Sequence, residues 1–190
     1  MTTRTFLAAL ALGCCASASV QAASIYLTPA MQDLAAGVSP ASMDLMMDFA
    51  ASELTLGGGI DVDVSGIATF RDFIPSAYFT TVADPAFSGH GTLRADNDYE
   101  IHFGSFNGLS GLNKLGTIRL NMQAPILGTT AMITLTTNSF FGGFVSASPT
   151  PLNVTMTGAV VSVPEPAAAA LLLAGLGIVG IAVARRARRS

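Results

Sequence analysis

Asp96-Asn97-Asp98-Tyr99-Glu100 is the densest run of oxygen ligands in the chain. A calcium ion takes about six to eight oxygens from carboxylates, amides and backbone carbonyls, which makes Asp96, Asn97, Asp98 and Glu100 candidate ligands. An EF-hand loop would carry Gly where Ile101 stands and would close on a Glu that this sequence does not supply. The competing reading is an exposed turn between two strands, with Asn97 in the left-handed conformation that Asn tolerates. Asp61 and Asp63 sit two apart and therefore on one face of a strand. Paired carboxylates hydrolyse glycosides when they stand about 5–10 Å apart across a sugar cleft. Such clefts draw on aromatic platforms, and the chain has no Trp and three Tyr, so an outward acidic face is the simpler assignment.

His90 and His102 are the two histidines, and no H-x-x-x-H or H-E-x-x-H spacing joins them to further metal ligands. Ser105, Ser110 and Ser139 have Gly or Asn close by but lie in no G-x-S-x-G elbow. Phosphate loops and dinucleotide motifs are absent. Both cysteines, Cys14 and Cys15, fall at the N-terminal end, which removes thiol catalysis and Cys-based zinc sites from the rest of the chain. The expectation is a protein without catalytic residues, without a metal centre and without a cofactor, calcium at Asp96–Glu100 being the single candidate.

The surrounding composition explains where these residues are displayed. The 190 residues are 51% apolar and 11% charged, against about 25% charged in an average soluble domain. Part of that apolarity belongs to the ends. Residues 1–22 read as a secretory signal peptide: Arg4 supplies the positive region, Phe6 to Gly13 the apolar core, and Val20-Gln21-Ala22 the small residues before cleavage between Ala22 and Ala23 by signal peptidase. Gly13-Cys14 leaves a lipoprotein leader as the alternative, although Ala11 stands where that motif favours Leu.

At the other end, Pro164-Glu165-Pro166 is followed by an uncharged run from Ala167 to Ala184 and then by Arg185, Arg186, Arg188 and Arg189. Eighteen helical residues reach about 27 Å, enough for a bilayer core. The arginines resist translocation and hold the C-terminus in the cytoplasm with the remaining chain outside. Two prolines keep the segment ahead of the span extended. Together these three parts resemble the PEP-CTERM sorting signal, over about residues 164–190. The resemblance implies export in a Gram-negative bacterium that makes exopolysaccharide. It also implies processing by the membrane protease exosortase, with Pro164, Glu165 and Pro166 as the recognised motif. A plain juxtamembrane linker before a permanent anchor is the alternative.

Between the ends, residues 23–163 contain eleven Asp/Glu and four Lys/Arg, a balance of −7 that the arginines of the ends reduce to −3 overall. This acidity argues against a nucleic-acid partner, which needs a basic surface. Period-two alternation marks strands at Met43–Phe49, Ile60–Ser65, Thr117–Met122, Ile133–Thr136 and within Asn153–Val163. Further strands are expected at Ser24–Thr28, Ile67–Phe73, Tyr78–Val82, Gly89–Ala95 and Tyr99–Phe103, and one helical turn at Met31–Gly37. Gly57-Gly58-Gly59, Asp84-Pro85, Asn107-Gly108, Gly142-Gly143 and Pro149-Thr150-Pro151 read as turns.

About nine or ten such strands predict an all-β, antiparallel β-sandwich, flanked by the signal peptide and a C-terminal transmembrane helix. The order Ile25-Tyr26-Leu27-Thr28-Pro29, Met43–Phe49, Leu56–Val62, Leu115–Leu120, then Gly128-Thr129-Thr130 before Ile133-Thr134-Leu135 is similar to cohesin-like domains. That likeness implies a jelly-roll topology. Cohesins of cellulose-degrading complexes bind dockerins, and no residue here is matched to that binding face.

The expected function is therefore a non-enzymatic exported surface or extracellular-matrix protein with an adhesion or interaction module. The alternative is a calcium- or carbohydrate-binding module associated with exopolysaccharide. Expected partners are signal peptidase, exosortase, the membrane through residues 167–184, and exopolysaccharide or another surface protein.

Overall fold

The computed structural model describes residues 23–81, 84, 87–91, 97–123, 127–138, 143–148 and 150–165. The readings of residues 1–22, Asp96, Pro166, the span from Ala167 to Ala184 and the arginines at 185–189 fall outside them. No helix among the described residues is long and apolar enough to cross a membrane.

Alternation builds the core. In β3 (Ala41–Phe49) the residues Met43, Leu45, Met47 and Phe49 are buried while Asp44, Met46 and Asp48 are half-exposed. Ile60, Val62 and Val64 of β4 (Thr55–Gly66) face the same interior, as do Ile118 and Leu120 of β8 (Gly111–Met122) and Ile133 and Leu135 of β9 (Thr129–Thr137). Phe144 joins Phe49 and Phe103 at ring-centroid distances of 5.8 and 5.6 Å. Residues of both sheets contribute to one dry layer, the arrangement of a β-sandwich.

One sheet has five strands in the order β11 (Thr155–Thr157), β1 (Ser24–Thr28), β3, β8, β5 (Ala68–Pro75). The other runs β2 (Met31–Asp33), β12 (Ala159–Val163), β9, β4, β7 (Asp98–Leu109), β6 (Gly89–His90), with β10 (Val145–Ser146) also paired to β4. The fold is all-β and sandwich-like, and its details correct several expectations. Two edge pairs are parallel: β1 with β11 and β2 with β12. The first and last segments therefore run side by side in the five-stranded sheet and then cross together into the larger one. The expected single strand within Asn153–Val163 is thus two strands, β11 and β12, separated at Gly158. A Cβ there would lie 1.9 Å from the Ile133 carbonyl oxygen. Within Met31–Gly37, expected as one helical turn, Met31–Asp33 form β2 instead, held by the register Val160–Met31, and a turn closed by the Val38 N–H on the Ala35 carbonyl follows.

Where Tyr78–Val82 is expected as a strand, Ala77–Thr81 form the short helix α1, and Val82 falls outside the described residues. Ser76 starts it, accepting the Phe79 N–H on its hydroxyl at 3.1 Å and the Thr80 N–H on its carbonyl at 3.1 Å. Gly57-Gly58-Gly59 is no turn but the interior of β4. Asn107-Gly108 is a bulge within β7, where Thr55 pairs with Leu109 and Gly57 already pairs with Gly104, leaving four residues opposite Leu56.

Asn97 ties the two sheets at the start of β7. Its φ is 69°, its amide donates to the carbonyls of Val64 at 2.8 Å and Ala68 at 3.3 Å, and its Oδ1 accepts the Phe70 N–H at 2.7 Å. The β4–β5 connection is fixed by one side chain. Asn97→Ala loses these bonds and strains a non-glycine φ, for an expected cost of about 2–4 kcal/mol in thermal or denaturant unfolding. Asn97→Gly relieves the strain alone and should cost about 1 kcal/mol less; equal stability of Asn97→Ala and the unsubstituted protein would contradict this role.

Candidate functional site

The outward positions of β4 and β7 form a ladder of four pairs: Gly57 with Gly104, Gly59 with His102, Asp61 with Glu100, and Asp63 with Asp98. Successive rungs are two residues apart, so the ladder extends about 20 Å. Its two ends differ in chemistry.

At the glycine end the backbone itself is the floor. Gly57 has φ 126°, and a Cβ on it would stand 2.1 Å from the Phe103 carbonyl oxygen and 2.4 Å from the Gly104 Cα. Gly58 points inward, beneath the Phe144 ring, which a Cβ would meet at 2.8 Å. The bulge in β7 turns Phe106 out to solvent, where 74% of it is exposed. Phe87 packs edge-on against it at a centroid distance of 4.8 Å and an interplanar angle of 86°. Leu56, Phe87, Phe106 and Val145 wall a cleft of about 330 Å³ over the glycine floor, with His102 on its rim. The triple glycine and Asn107-Gly108, both expected as turns, are the separate traces of this cleft in the sequence. Phe87 and Phe106 carried no signal, because single exposed aromatics look alike in a sequence.

At the acidic end, the buried Asn138 amide donates to Glu100 Oε1 at 3.1 Å and also to Asp61 Oδ1. One neutral amide thus binds two carboxylates on adjacent strands. Asp63 is exposed and Asp98 buried. Three of the four calcium candidates lie among the described residues. Asn97 directs its oxygen to Phe70 N–H, Glu100 is held by Asn138, and Asp98 stands opposite Asp63. Among the described residues no group of three His, Cys, Asp or Glu side chains is placed to hold a metal.

The histidines point to opposite faces of the sheet. His90 Nδ1 lies 2.7 Å from the Tyr99 hydroxyl, beside Phe73. His102 lies on the outer face next to Gly89, with its pKa lowered first by burial and then by the charge of His90. Ser105 accepts the Asn107 N–H at 3.3 Å within the bulge, the Ser110 carbonyl accepts from Asn113 at 2.9 Å, and Ser139 falls outside the described residues.

Charge is divided between the sheets. The strands of the larger sheet contain Asp33, Asp61, Asp63, Asp98 and Glu100 and no Lys or Arg. The five-stranded sheet carries Arg71, Lys114 and Arg119 against Asp44, Asp48 and Asp72. Its cations are paired: Arg119 grips Asp72 through Nε at 2.6 Å and Nη2 at 2.5 Å, and Lys114 meets Asp44 at 2.7 Å. The Arg119 hydrogen bond, opposed in part by burial, holds the Asp72 pKa below the usual carboxylate value.

The remaining feature is the C-terminal exit. Val163 closes β12 fully buried, and Pro164 and Glu165 emerge exposed, with Glu165 against Gly128. Residues 162–189 match the PEP-CTERM protein-sorting motif. The sorting motif thus begins inside the last strand of the sandwich. In sequence, no curated protein matches the chain.

In structure, the sandwich is similar to cohesins. The sixth cohesin of Acetivibrio cellulolyticus scaffoldin B, solved in complex with a Cel5 dockerin, superposes with a TM-score of 0.58 at 12% identity, covering 75% of this chain and 99% of that one. The OlpA cohesin of Clostridium thermocellum, from a type I cohesin–dockerin complex, gives 0.59 at 7% identity, with the same coverage of 75% and 99%. A non-cellulosomal cohesin from the archaeon Archaeoglobus fulgidus gives 0.52 at 12%, covering 78% and 95%. At these identities the likeness is one of fold.

Gly57→Ala tests the floor. It combines a φ that alanine resists with a clash against main chain, so the expected loss of stability is about 2–5 kcal/mol by thermal unfolding. An alanine tolerated there at unchanged midpoint would show that β4 and β7 do not approach this closely.

Proposed function

We propose that residues 23–163 form an exported, non-enzymatic docking module whose larger sheet receives a partner protein segment with an apolar anchor flanked by basic residues. The segregation of charge carries this reading. The face that displays Phe87 and Phe106 is also the face whose strands hold five acidic residues and no Lys or Arg. An anchor inserted over the glycine floor would lose its water contact against Leu56, Phe87 and Phe106, while basic neighbours would meet the Asp61–Glu100 and Asp63–Asp98 rungs. The cohesin structures solved with dockerins support this use of the fold, although the residues of those interfaces are not carried over.

The ends supply delivery. In this reading residues 1–22 are the signal peptide, 167–184 the membrane span, and Arg185, Arg186, Arg188 and Arg189 its cytoplasmic flank. Pro164, Glu165 and Pro166 present the chain to exosortase in a Gram-negative envelope, for display at the cell surface or in the extracellular matrix. The cleft would then face away from the membrane. Gly66 pairs with Ala131, close to the Thr129–Val163 exit, and Gly57 lies nine residues further along β4, or about 30 Å.

Selection of peptides on residues 23–163 should enrich an aromatic or aliphatic residue next to Lys or Arg, with binding that weakens as salt rises. Phe106→Ala should weaken those peptides about tenfold or more while changing stability by less than about 0.5 kcal/mol, given its exposure. Enrichment of acidic peptides, or binding indifferent to Phe106→Ala, would defeat the docking assignment. For the delivery part, replacing Pro164, Glu165 and Pro166 with alanine should leave the full-length precursor in the membrane fraction; unchanged processing would refute it.

A further inference from the structure

The sorting match begins at residue 162, but β12 extends to Val163, so Ser162 and Val163 belong to both the motif and the folded sheet. They are held from both sides. Ser162 stands opposite Asp33 of β2 and Thr130 of β9, its carbonyl accepts the Leu34 N–H at 2.8 Å, and its hydroxyl donates to the Asp33 carboxylate. Val163 pairs with Thr129, its carbonyl accepts the Gly128 N–H at 2.7 Å, and its side chain is fully buried. Pro164 then ends the ladder, having no N–H to donate, and is the first exposed residue. Glu165 is folded back over Gly128, whose φ of 80° and missing side chain leave room for it: a Cβ would lie 2.6 Å from Glu165 Oε1. No flexible linker separates the sandwich from the motif.

Proteolytic enzymes act on exposed, unpaired backbone, and a bond inside a paired strand becomes available only through local opening. We infer that the sandwich sets the N-terminal limit of processing: the cleaved bond lies C-terminal to Val163, and the pairing of Ser162 and Val163 restrains the enzyme until the end of β12 opens. Hydrolysis there adds one water across one peptide bond. The domain keeps a carboxylate and all of β12, and the fragment carrying residues 167–184 leaves with a new amino terminus. This rests on the sorting reading above and goes beyond it by naming what the fold does to the processing enzyme's access.

The test uses the full chain in an exporting host that carries exosortase, followed by pulse-labelling and intact mass of the mature product. A six-residue insertion after Val163, Gly-Ser-Gly-Ser-Ser-Val, restores Ser-Val ahead of Pro164 while freeing it from the sheet. Because the inserted Ser-Val carries none of the backbone pairing that holds Ser162 and Val163, processing should speed up about tenfold. The same insertion after Gly37, in an exposed loop, should leave the rate unchanged. The mature C-terminus of the unmodified chain should map to Val163 or beyond. A terminus within residues 159–162, equal rates for the chain with the insertion after Val163 and the unmodified chain, or equal acceleration by the Gly37 insertion would each overturn the inference while leaving the sorting reading standing. Processing of none of the chains would overturn both.

Discussion

The dry layer between the two sheets carries the stability of residues 23–163, a stretch with no cysteine and therefore no covalent cross-link. Every long strand commits one face to that layer, through residues such as Leu45, Ile60, Ile101, Ile118 and Ile133. Whatever the domain does for other molecules must be done with the opposite faces, the bulge and the ends. The low charge of the chain follows from the same constraint. Thr and Ser fill many outward positions of β9 and β12, where they hydrate the sheet without needing counter-charges.

With so few charges, their placement matters. The three described cations all lie on the five-stranded sheet, where Arg119 and Lys114 neutralise Asp72 and Asp44. The larger sheet keeps its carboxylates without cations in its own strands and tempers them with the Asn138 amide. An exposed ion pair contributes little to stability, so the effect of this sorting is mainly on the surface: the strands of one sheet balance their charges and those of the other carry carboxylates without Lys or Arg. The apolar cleft stands at one end of that acidic row.

Much of the sandwich was legible because period-two alternation is enforced by the dry layer. Met43 to Phe49 and Ile60 to Ser65 can be read in only one register without burying Asp44 or Asp61. What escaped the reading depended on contacts distant in sequence. Gly57 serves a close approach to Gly104, and nothing in the local run Gly57-Gly58-Gly59 separates that from a turn. Met31–Asp33 becomes a strand because β12 lies alongside it, more than a hundred residues later in the chain. Tyr78 to Thr81 carry strand-forming side chains, but the Ser76 hydroxyl caps them into a helix. The cleft was illegible for the same reason, since Leu56, Phe87, Phe106 and Val145 meet only after β4, β7 and β10 have paired. The C-terminal signal was the opposite case: its parts are contiguous, and a linear reading was sufficient.

The shared path of the first and last segments also decides how the domain would bear a pull. A chain held at Val163 and engaged on β4 and β7 is loaded along the axis of β12. The hydrogen bonds from β12 to β2 and β9 lie across that axis, so they are sheared together instead of being unzipped singly. The strand that hands the chain to its sorting motif is therefore the strand best placed to resist being drawn out of the fold. A tether under tension at this point would load several bonds at once before any of them gave way.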